Sequence, residues 1–144
     1  MTSATYDDTK TPTEHYATLA AALDQHGVKS VLMFGLGNGA IPALLPDVTF
    51  DAVESYPYYQ VTRDNIRNVS ISDIKDVSAW PRDPNGGYDA LVSDIDKADP
   101  FLTPCLHKKG LNAISERLTR NGVYLALAYR NEGSYVVEMR VREV

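Results

Sequence analysis

Residues 31–45 read VLMFGLGNGAIPALL, an apolar run that passes through three glycines into a second apolar stretch. A nearly continuous apolar run is typical of a strand that is covered on both faces of a sheet. Gly35, Gly37 and Gly39 come where this strand should end. Because glycine adopts positive φ and lets another molecule approach the backbone closely, the stretch predicts a strand, a tight loop and a short helix over residues 39–45.

Strand-like and helix-like segments alternate along the rest of the chain. Thr11-Pro12-Thr13-Glu14 is a helix start, and Gly27 is expected to end that helix. Two further helices are predicted over residues 58–67 and 100–119, the second closed by Asn121-Gly122. Strands are predicted over residues 28–34, 49–54, 69–74, 88–94, 123–129 and 134–141. This alternation predicts a three-layer α/β fold with a mostly parallel sheet of about six strands and an antiparallel C-terminal strand.

The composition is that of an ordinary folded protein. Of 144 residues, 44% are hydrophobic and 23% are charged, so we expect a polar arm over residues 1–11 and one domain over 12–144. No apolar run approaches the ~20 residues of a membrane span, and the polar start lacks the layout of a signal peptide. Cys105 is the one cysteine, which excludes an internal disulfide and favours a reducing cytoplasm. The net charge of −5 does not favour a nucleic-acid partner.

An acidic residue comes at the end of the next predicted strand. Glu54 closes the segment TFDAVE, one crossover after Gly35. Ligands of parallel sheets bind at the carboxyl ends of the strands, and a carboxylate there can accept hydrogen bonds from both hydroxyls of a ribose. The glycine loop and Glu54 together therefore favour a nucleoside site over a simple turn beside a solvated acid.

The glycine loop fits two kinds of nucleotide-binding protein. G-L-G-N-G-A satisfies the dinucleotide fingerprint G-x-G-x-x-A, and its G-x-G-x-G spacing resembles the first motif of class I S-adenosylmethionine-dependent methyltransferases. VLMFGLGNGAIPALL followed by FDAVESYPYY is most similar to the spermidine synthase (aminopropyltransferase) branch of that superfamily. YDALVSDIDKADP resembles the strand-four segment of this branch, and TEHYATLAAAL resembles its helix before strand one.

The resemblance covers residues 12–129 and implies the Rossmann-like methyltransferase fold. Polyamine synthases carry an N-terminal β-rich domain that the short arm does not match, and DIDKADP has one residue more than the family's D-x-x-D-P. The chain therefore resembles a truncated member of the branch. The implied donor is S-adenosylmethionine or decarboxylated S-adenosylmethionine.

The resemblance also implies roles for residues beyond the glycine loop. Asp76 falls where the superfamily carries an acid that contacts the adenine amino group. Val77 beside it and Ser55 beside Glu54 are assigned to the same cofactor site. Asp94, at the end of the fourth predicted strand, is the candidate catalytic residue, because a carboxylate there can orient an amine nucleophile or accept its proton.

Three further residues are candidates for the acceptor side of the site. Asp96 and Asp99 would suit a cationic acceptor, although the same segment also fits a plain acidic loop. Tyr16 would gate the acceptor if the first helix lies over the site. Trp80 is interpreted as a cover on the hydrophobic core rather than a wall of an adenine pocket. No His or Cys spacing indicates a metal site.

The sequence thus predicts a cytoplasmic transferase that moves a methyl or aminopropyl group to a small acceptor such as an amine, with no membrane partner. Two alternatives stay open. One is a nucleoside-binding module without turnover, and the other is an NAD-binding Rossmann protein, which the G-x-G-x-x-A overlap favours. The last predicted strand, within YVVEMRVREV, alternates apolar and charged residues, so its edge is a candidate homodimer surface.

Overall fold

A computed structural model describes residues 13–36, 39–55, 63–94, 108–130 and 133–139 of the chain. These residues form one six-stranded sheet in the order β3-β2-β1-β4-β5-β6, parallel except for the antiparallel pair β5–β6. The predicted α/β fold is confirmed. The elements are α1 (Thr13–Gln25), β1 (Ser30–Phe34), α2 (Ala40–Leu44), β2 (Thr49–Glu54), β3 (Ile66–Ile71), a 3-10 turn (Val77–Ala79), β4 (Tyr88–Asp94), α3 (Lys108–Arg117), β5 (Leu118–Arg130) and β6 (Gly133–Met139).

The strand order reverses at β1, which lies between β2 and β4. Met33 pairs with Ala52 on one side and with Val92 on the other. The apolar run of residues 31–34 is buried throughout, as a strand covered on both faces should be. Because open α/β sheets bind ligands at the carboxyl ends of strands where the order reverses, the loops after β1, β2 and β4 are the place to look for a site.

Two apolar cores cover the two faces of the sheet. The first core packs α1 and α2 on one face and includes Leu23 and Phe50, both fully buried. The second core packs α3 and the segment before β4 on the other face and includes Ile114 and Trp80. Truncating a fully buried side chain such as Leu23 to alanine typically costs about 2–5 kcal/mol. The stability of the sheet therefore rests on both layers.

The first helix ends as predicted and is hydrogen-bonded to β6, the last strand in the sheet order. Gly27 adopts φ 64°, and its N–H donates to the carbonyl of Asp24 at 3.0 Å. The hydroxyls of Thr18 and Ser134 lie 2.6 Å apart and join α1 to β6. None of the helices among the described residues is long and apolar enough to cross a membrane.

The third strand begins and ends three residues earlier than the sequence predicts. Residues 63–65 form a turn and Ile66 begins β3, so the predicted helix over 58–67 is wrong at its C-terminal end. The part of that helix before residue 63 lies outside the described residues. Asn65 lies in this turn, and its side-chain amide nitrogen is within hydrogen-bond distance, 2.9–3.0 Å, of the carbonyl oxygens of Pro42, Leu45 and Val48. These contacts satisfy the end of α2 and hold residue 65 in a turn.

The fifth strand also begins early, at Leu118, so Asn121-Gly122 does not close a helix. Tyr88 pairs with Leu118, but Ala90 pairs with Val123, so the ladder between them is irregular. A Cβ at Gly122 would lie 2.9 Å from the Leu118 side chain, and one at Gly87 would lie 2.8 Å from the Thr119 nitrogen. Both glycines therefore allow two backbone segments to approach each other closely. Of the predicted helix, α3 accounts for residues 108–117, and residues 100–107 lie outside the described ranges.

Candidate functional site

The glycine loop leaves the carboxyl end of β1 by a sharp backbone turn. Gly35 adopts φ 86°, and its N–H donates to the carbonyl of Val53 at 2.9 Å. Gly39 adopts φ 75°, is buried, and precedes α2. These positive φ values explain two of the three glycines on conformational grounds. Gly37 lies outside the described residues, so its predicted contact with the donor stays a prediction.

Glu54 is buried against this loop. It ends β2 with a relative exposure of 5%, and its Oε1 accepts a hydrogen bond from the backbone N–H of Leu36 at 2.9 Å. A solvated strand-end acid would not be buried in this way. Each carboxylate oxygen has two acceptor positions, so the same group can hold the loop and accept from a ligand hydroxyl. The glycine loop and the predicted ribose acid are therefore one structural unit.

Ser55 and the end of β3 adjoin Glu54 at the same edge of the sheet. The carbonyl of Glu54 accepts from the N–H of Ser72 at 3.1 Å. The exposed Ser55 hydroxyl donates to the carbonyl of Ser72 at 3.5 Å, which is long for a hydrogen bond. The backbone after β2 is thus joined to the segment that leads to Asp76.

Asp76 and Val77 lie in the loop that follows β3. Asp76 is exposed, begins the 3-10 turn, and accepts from the hydroxyl of Ser78 at 2.7 Å. The N–H of Val77 already donates to the carbonyl of Lys75 at 3.1 Å. Val77 is half-buried against the second core. The predicted contacts of Asp76 and Val77 with an adenine stay predictions.

Trp80 and Arg117, two buried side chains, donate hydrogen bonds to backbone carbonyls of the same loop. The Trp80 ring is 3% exposed, its centroid lies 4.8 Å from that of Phe34, and its Nε1 donates to the carbonyl of Ile74 at 2.9 Å. The guanidinium of Arg117 lies 5.8 Å from the Trp80 ring, and its Nη2 donates to the carbonyl of Val77 at 2.9 Å. The burial of Trp80 agrees with its interpretation as a cover on the core.

Arg117 is the residue of this region that sequence reasoning missed. It is 5% exposed, and its Nε has no hydrogen-bond partner in the described part of the chain. Burial lowers the pKa of Arg117, as does the positive charge of Arg82, while Glu116 acts in the opposite direction. The available signal was its place in LNAISERL, where Ala113, Ile114 and Arg117 share one helical face.

Asp94 lies at the same edge as Gly35 and Glu54, because it is the last residue of β4. Its backbone pairs with Leu127 of β5. Just before it, the hydroxyls of Ser93 and Tyr124 lie 2.6 Å apart in the interior. The side chain of Asp94, and the whole of Asp96 and Asp99, lie outside the description. Their predicted roles stay predictions.

Tyr16 lies on α1, half-buried against the first core. This position neither adds it to the group formed by Gly35, Glu54 and Asp76 nor tests its predicted gating role. The described residues contain no cluster of three or more His, Cys, Asp or Glu side chains that would hold a metal ion.

A second buried polar cluster lies toward the amino edge of the sheet, and the sequence did not reveal it. Asp51 is fully buried and accepts from Nε and Nη2 of Arg67 at 3.0 and 2.8 Å and from the hydroxyl of Tyr88 at 2.6 Å. The carboxylate of Asp83 accepts from the hydroxyl of Ser30 and lies 3.8 Å from Arg67. Open α/β sheets bind ligands at the opposite, carboxyl edge, so this cluster joins β1, β2, β3 and β4 and is not part of the candidate site.

The electrostatics of this cluster follow from its contacts. The hydrogen bond to Asp51 raises the pKa of Arg67, and its burial acts against this. Desolvation, and then the hydrogen bond to Asp51, raise the pKa of Tyr88 well above its ordinary value. Both groups are therefore held in the protonated state that their partner Asp51 requires.

Comparison with solved structures identifies the fold. A methyltransferase from Clostridium acetobutylicum that depends on S-adenosylmethionine is 16% identical, with a TM-score of 0.59 over 88% of this chain and 55% of that one. The O-methyltransferase TomG from Streptomyces achromogenes, involved in tomaymycin synthesis and solved with S-adenosylmethionine, is 10% identical, with a TM-score of 0.60 over 82% and 56%. The plantazolicin methyltransferase BpumL, solved with S-adenosylhomocysteine and a pentazolic analogue, is 15% identical, with a TM-score of 0.57 over 90% and 52%.

These likenesses show a class of fold, the Rossmann-like fold of S-adenosylmethionine-dependent methyltransferases. The chain spans about half the length of these three proteins. No protein-family model matches the sequence, and no curated protein matches it. At such low identity the likeness extends to the fold alone.

Proposed function

We propose that this chain is a transferase domain that binds S-adenosylmethionine at the carboxyl edge of its sheet and moves the methyl group to a small acceptor. The observation that carries the proposal is the buried hydrogen bond from Leu36 to Glu54. It joins the glycine loop to the predicted ribose-binding residue Glu54 where the strand order reverses, the position at which this architecture binds nucleotides. The solved methyltransferases of the same fold support the choice of cofactor.

Each part of the cofactor has a residue to receive it in this proposal. Glu54 accepts hydrogen bonds from the ribose hydroxyls, with Ser55 beside it. Asp76 accepts from the adenine amino group, and Val77 contacts the ring. The glycine loop leaves room for the amino-acid part of the donor.

Asp94 acts on the acceptor in the proposed reaction. The acceptor nucleophile attacks the methyl carbon, the bond between that carbon and sulfur breaks, and its electron pair stays on sulfur. S-Adenosylhomocysteine is the product. The carboxylate of Asp94 orients the nucleophile and accepts the proton that it loses. An amine acceptor would suit the acidic residues Asp96 and Asp99.

A second donor is favoured by the sequence resemblance to aminopropyltransferases. VESYPYY and YDALVSDIDKADP are the segments that carry it. With decarboxylated S-adenosylmethionine, the same attack would occur at the aminopropyl carbon and release methylthioadenosine. Decarboxylated S-adenosylmethionine lacks the carboxylate of the amino-acid part, which the proposal places beside the glycine loop. The relative affinities of the two donors therefore distinguish them.

The test is calorimetric titration of the purified chain with S-adenosylmethionine, its decarboxylated form, S-adenosylhomocysteine, methylthioadenosine and NAD. We expect the parent chain to bind the sulfonium nucleosides. Their affinity should fall little in a Glu54→Gln variant and strongly in Glu54→Ala. Asp24→Asn, an exposed acid on α1, is the matched control. Binding of NAD alone would contradict the proposal, whereas binding without transfer to any amine would favour a nucleoside-binding module.

A homodimer through the edge of β6 is a further part of the proposal. β6 is the last strand of the sheet order, and Tyr135 and Val137 on it are 60% and 38% exposed. An unpaired edge with apolar side chains can pair with a second copy. Light scattering of the purified chain should give the mass of a dimer, and the mass of a monomer would remove this part.

A further inference from the structure

We infer that Arg117 is a positioning residue for the adenine of the cofactor, and that it acts by holding the loop of Asp76 and Val77 against Trp80. The inference rests on the proposed function. It concerns a residue on α3, on the other side of the loop from the ligand. Arg117 would touch no atom of the cofactor.

Burying the guanidinium of Arg117 costs free energy, which its contacts must offset. A guanidinium in the interior loses the water that solvates it, and an apolar side chain would fill the same space more cheaply. Arg117 is nevertheless 5% exposed and lowered in pKa by its burial. Its Nη2 reaches the carbonyl of Val77 at 2.9 Å. Nη1 also lies 3.9 Å from the carboxylate of Glu116, which is exposed, so the direct hydrogen bond that offsets the burial is the one to the predicted adenine loop.

Trp80 completes the support from the other end of the loop. Its Nε1 donates to the carbonyl of Ile74, while Arg117 donates to that of Val77, so the two held carbonyls flank Asp76. The ring of Trp80 contacts both the guanidinium, at 5.8 Å, and Phe34 of β1, at 4.8 Å. A cation on the face of an indole ring is attracted to it. The loop is thus anchored to α3 and to β1 at the same time.

This arrangement has a consequence for ligand selection. The carboxylate of Asp76 is exposed, and its direction depends on the backbone that carries it. The carbonyl of Val77 accepts from Nη2 of Arg117 and also from the backbone N–H of Trp80 at 3.2 Å. Without Arg117 the 3-10 turn keeps its own hydrogen bond but loses its link to α3, so the distance from Asp76 to an adenine amino group is held less firmly. Affinity should fall most for the ligand that has this amino group, and little for a ligand that lacks it.

The experiment compares S-adenosylhomocysteine with S-inosylhomocysteine, in which an oxygen replaces the adenine amino group. We expect Arg117→Met to weaken binding of the first about tenfold, the loss of roughly one hydrogen bond to a charged group. Binding of the second should change little, so that the preference for the amino group collapses. Arg117→Lys, which can still donate to Val77, should restore part of the preference. Arg120→Met, at an exposed arginine of β5, is the matched control.

The outcomes separate this inference from the proposed function. A parent chain that binds neither ligand contradicts the proposed function. A parent chain that prefers S-adenosylhomocysteine, with an Arg117→Met variant that keeps the full preference, overturns the positioning role alone. If Arg117→Met does not fold, Trp80→Phe decides, because it removes the donor to Ile74 but keeps an aromatic ring. That variant should lose part of the preference, and an unchanged preference would overturn the inference.

Discussion

The carboxylate of Glu54 accepts a hydrogen bond at 2.9 Å from the backbone N–H of Leu36, a residue 18 positions earlier in the chain. Both residues are buried; Leu36 follows β1, and Glu54 is the last residue of the neighbouring parallel strand β2. The glycine loop is therefore shaped by the side chain of the strand next to it. A change at Glu54 should alter the loop as well as the ligand contact.

Glu54→Ala should lower the stability of the ligand-free protein. It leaves the buried N–H of Leu36 without its acceptor, which costs about 1–3 kcal/mol. Glu54→Gln keeps an oxygen in place and should cost less. Urea denaturation of the two variants measures the difference, and equal stability of Glu54→Ala and the parent would show that the hydrogen bond is not maintained in solution.

Asp94→Asn should separate turnover from binding. Loss of a general base typically lowers the rate about 10²–10⁴-fold, while affinity for S-adenosylhomocysteine should stay within a small factor. Single-turnover transfer to a panel of amines, together with calorimetric titration, provides the two readouts. Asp24→Asn serves again as the control, and full activity of Asp94→Asn would remove Asp94 from the mechanism.

Tyr88 should make the protein sensitive to alkaline pH. Its pKa is raised on folding above the ordinary 10.0 by desolvation and by Asp51. A raised pKa stabilises the fold fully below the unfolded value, and this contribution falls as pH rises beyond it. The urea midpoint should therefore change little from this cause up to about pH 9 and decrease as the pH rises above about 10, the ordinary pKa of tyrosine.

A Tyr88→Phe variant should show a smaller alkaline decrease than the parent chain, from a lower starting stability. Tyr135→Phe, at an exposed tyrosine, should behave like the parent. If Tyr88→Phe and the parent decrease in parallel, Tyr88 is not the group responsible.

Gly87→Ala should destabilise the protein more than an ordinary surface substitution. The added Cβ would lie 2.8 Å from the backbone nitrogen of Thr119, which cannot move without disturbing β5. Overpacking of this kind typically costs about 1–3 kcal/mol. Thermal denaturation against Arg120→Ala as control measures the cost, and a stability equal to that of the control would show that β5 yields easily.

The bounds of a strand are predicted best from the sequence where burial alone sets the pattern of its residues. β2 and β4 have the predicted bounds, because TFDAVE and YDALVSD lie inside the sheet, where burial dictates the pattern. β3 begins three residues before its predicted start, because it lies at one edge of the sheet and reads IRNVSI, with its side chains exposed or half-buried. An edge strand has a neighbouring strand on one side only. In β3 no side chain is fully buried, so its apolar signal is weak.

The candidate site was predicted where a motif is local, and missed where its support is distant. Gly35, Gly39 and Glu54 could be read from the residues next to them. The contact between Arg117 and Val77 joins positions 40 apart in sequence, and outside the site the contact between Tyr88 and Asp51 joins positions 37 apart. No pattern of spacing along the chain encodes which buried charge meets which carbonyl or hydroxyl. Such pairs appear only once the sheet is assembled.

Trp80 is the one tryptophan of the chain, and it lies directly under the loop of Asp76 and Val77. Indole emission depends on the polarity and the charges around the ring, and here the ring faces a guanidinium and a phenyl group. Any ordering or shift of the loop would change that environment. The protein therefore carries its own optical probe at the proposed adenine site, and its ligand can be sought by emission spectra without a label.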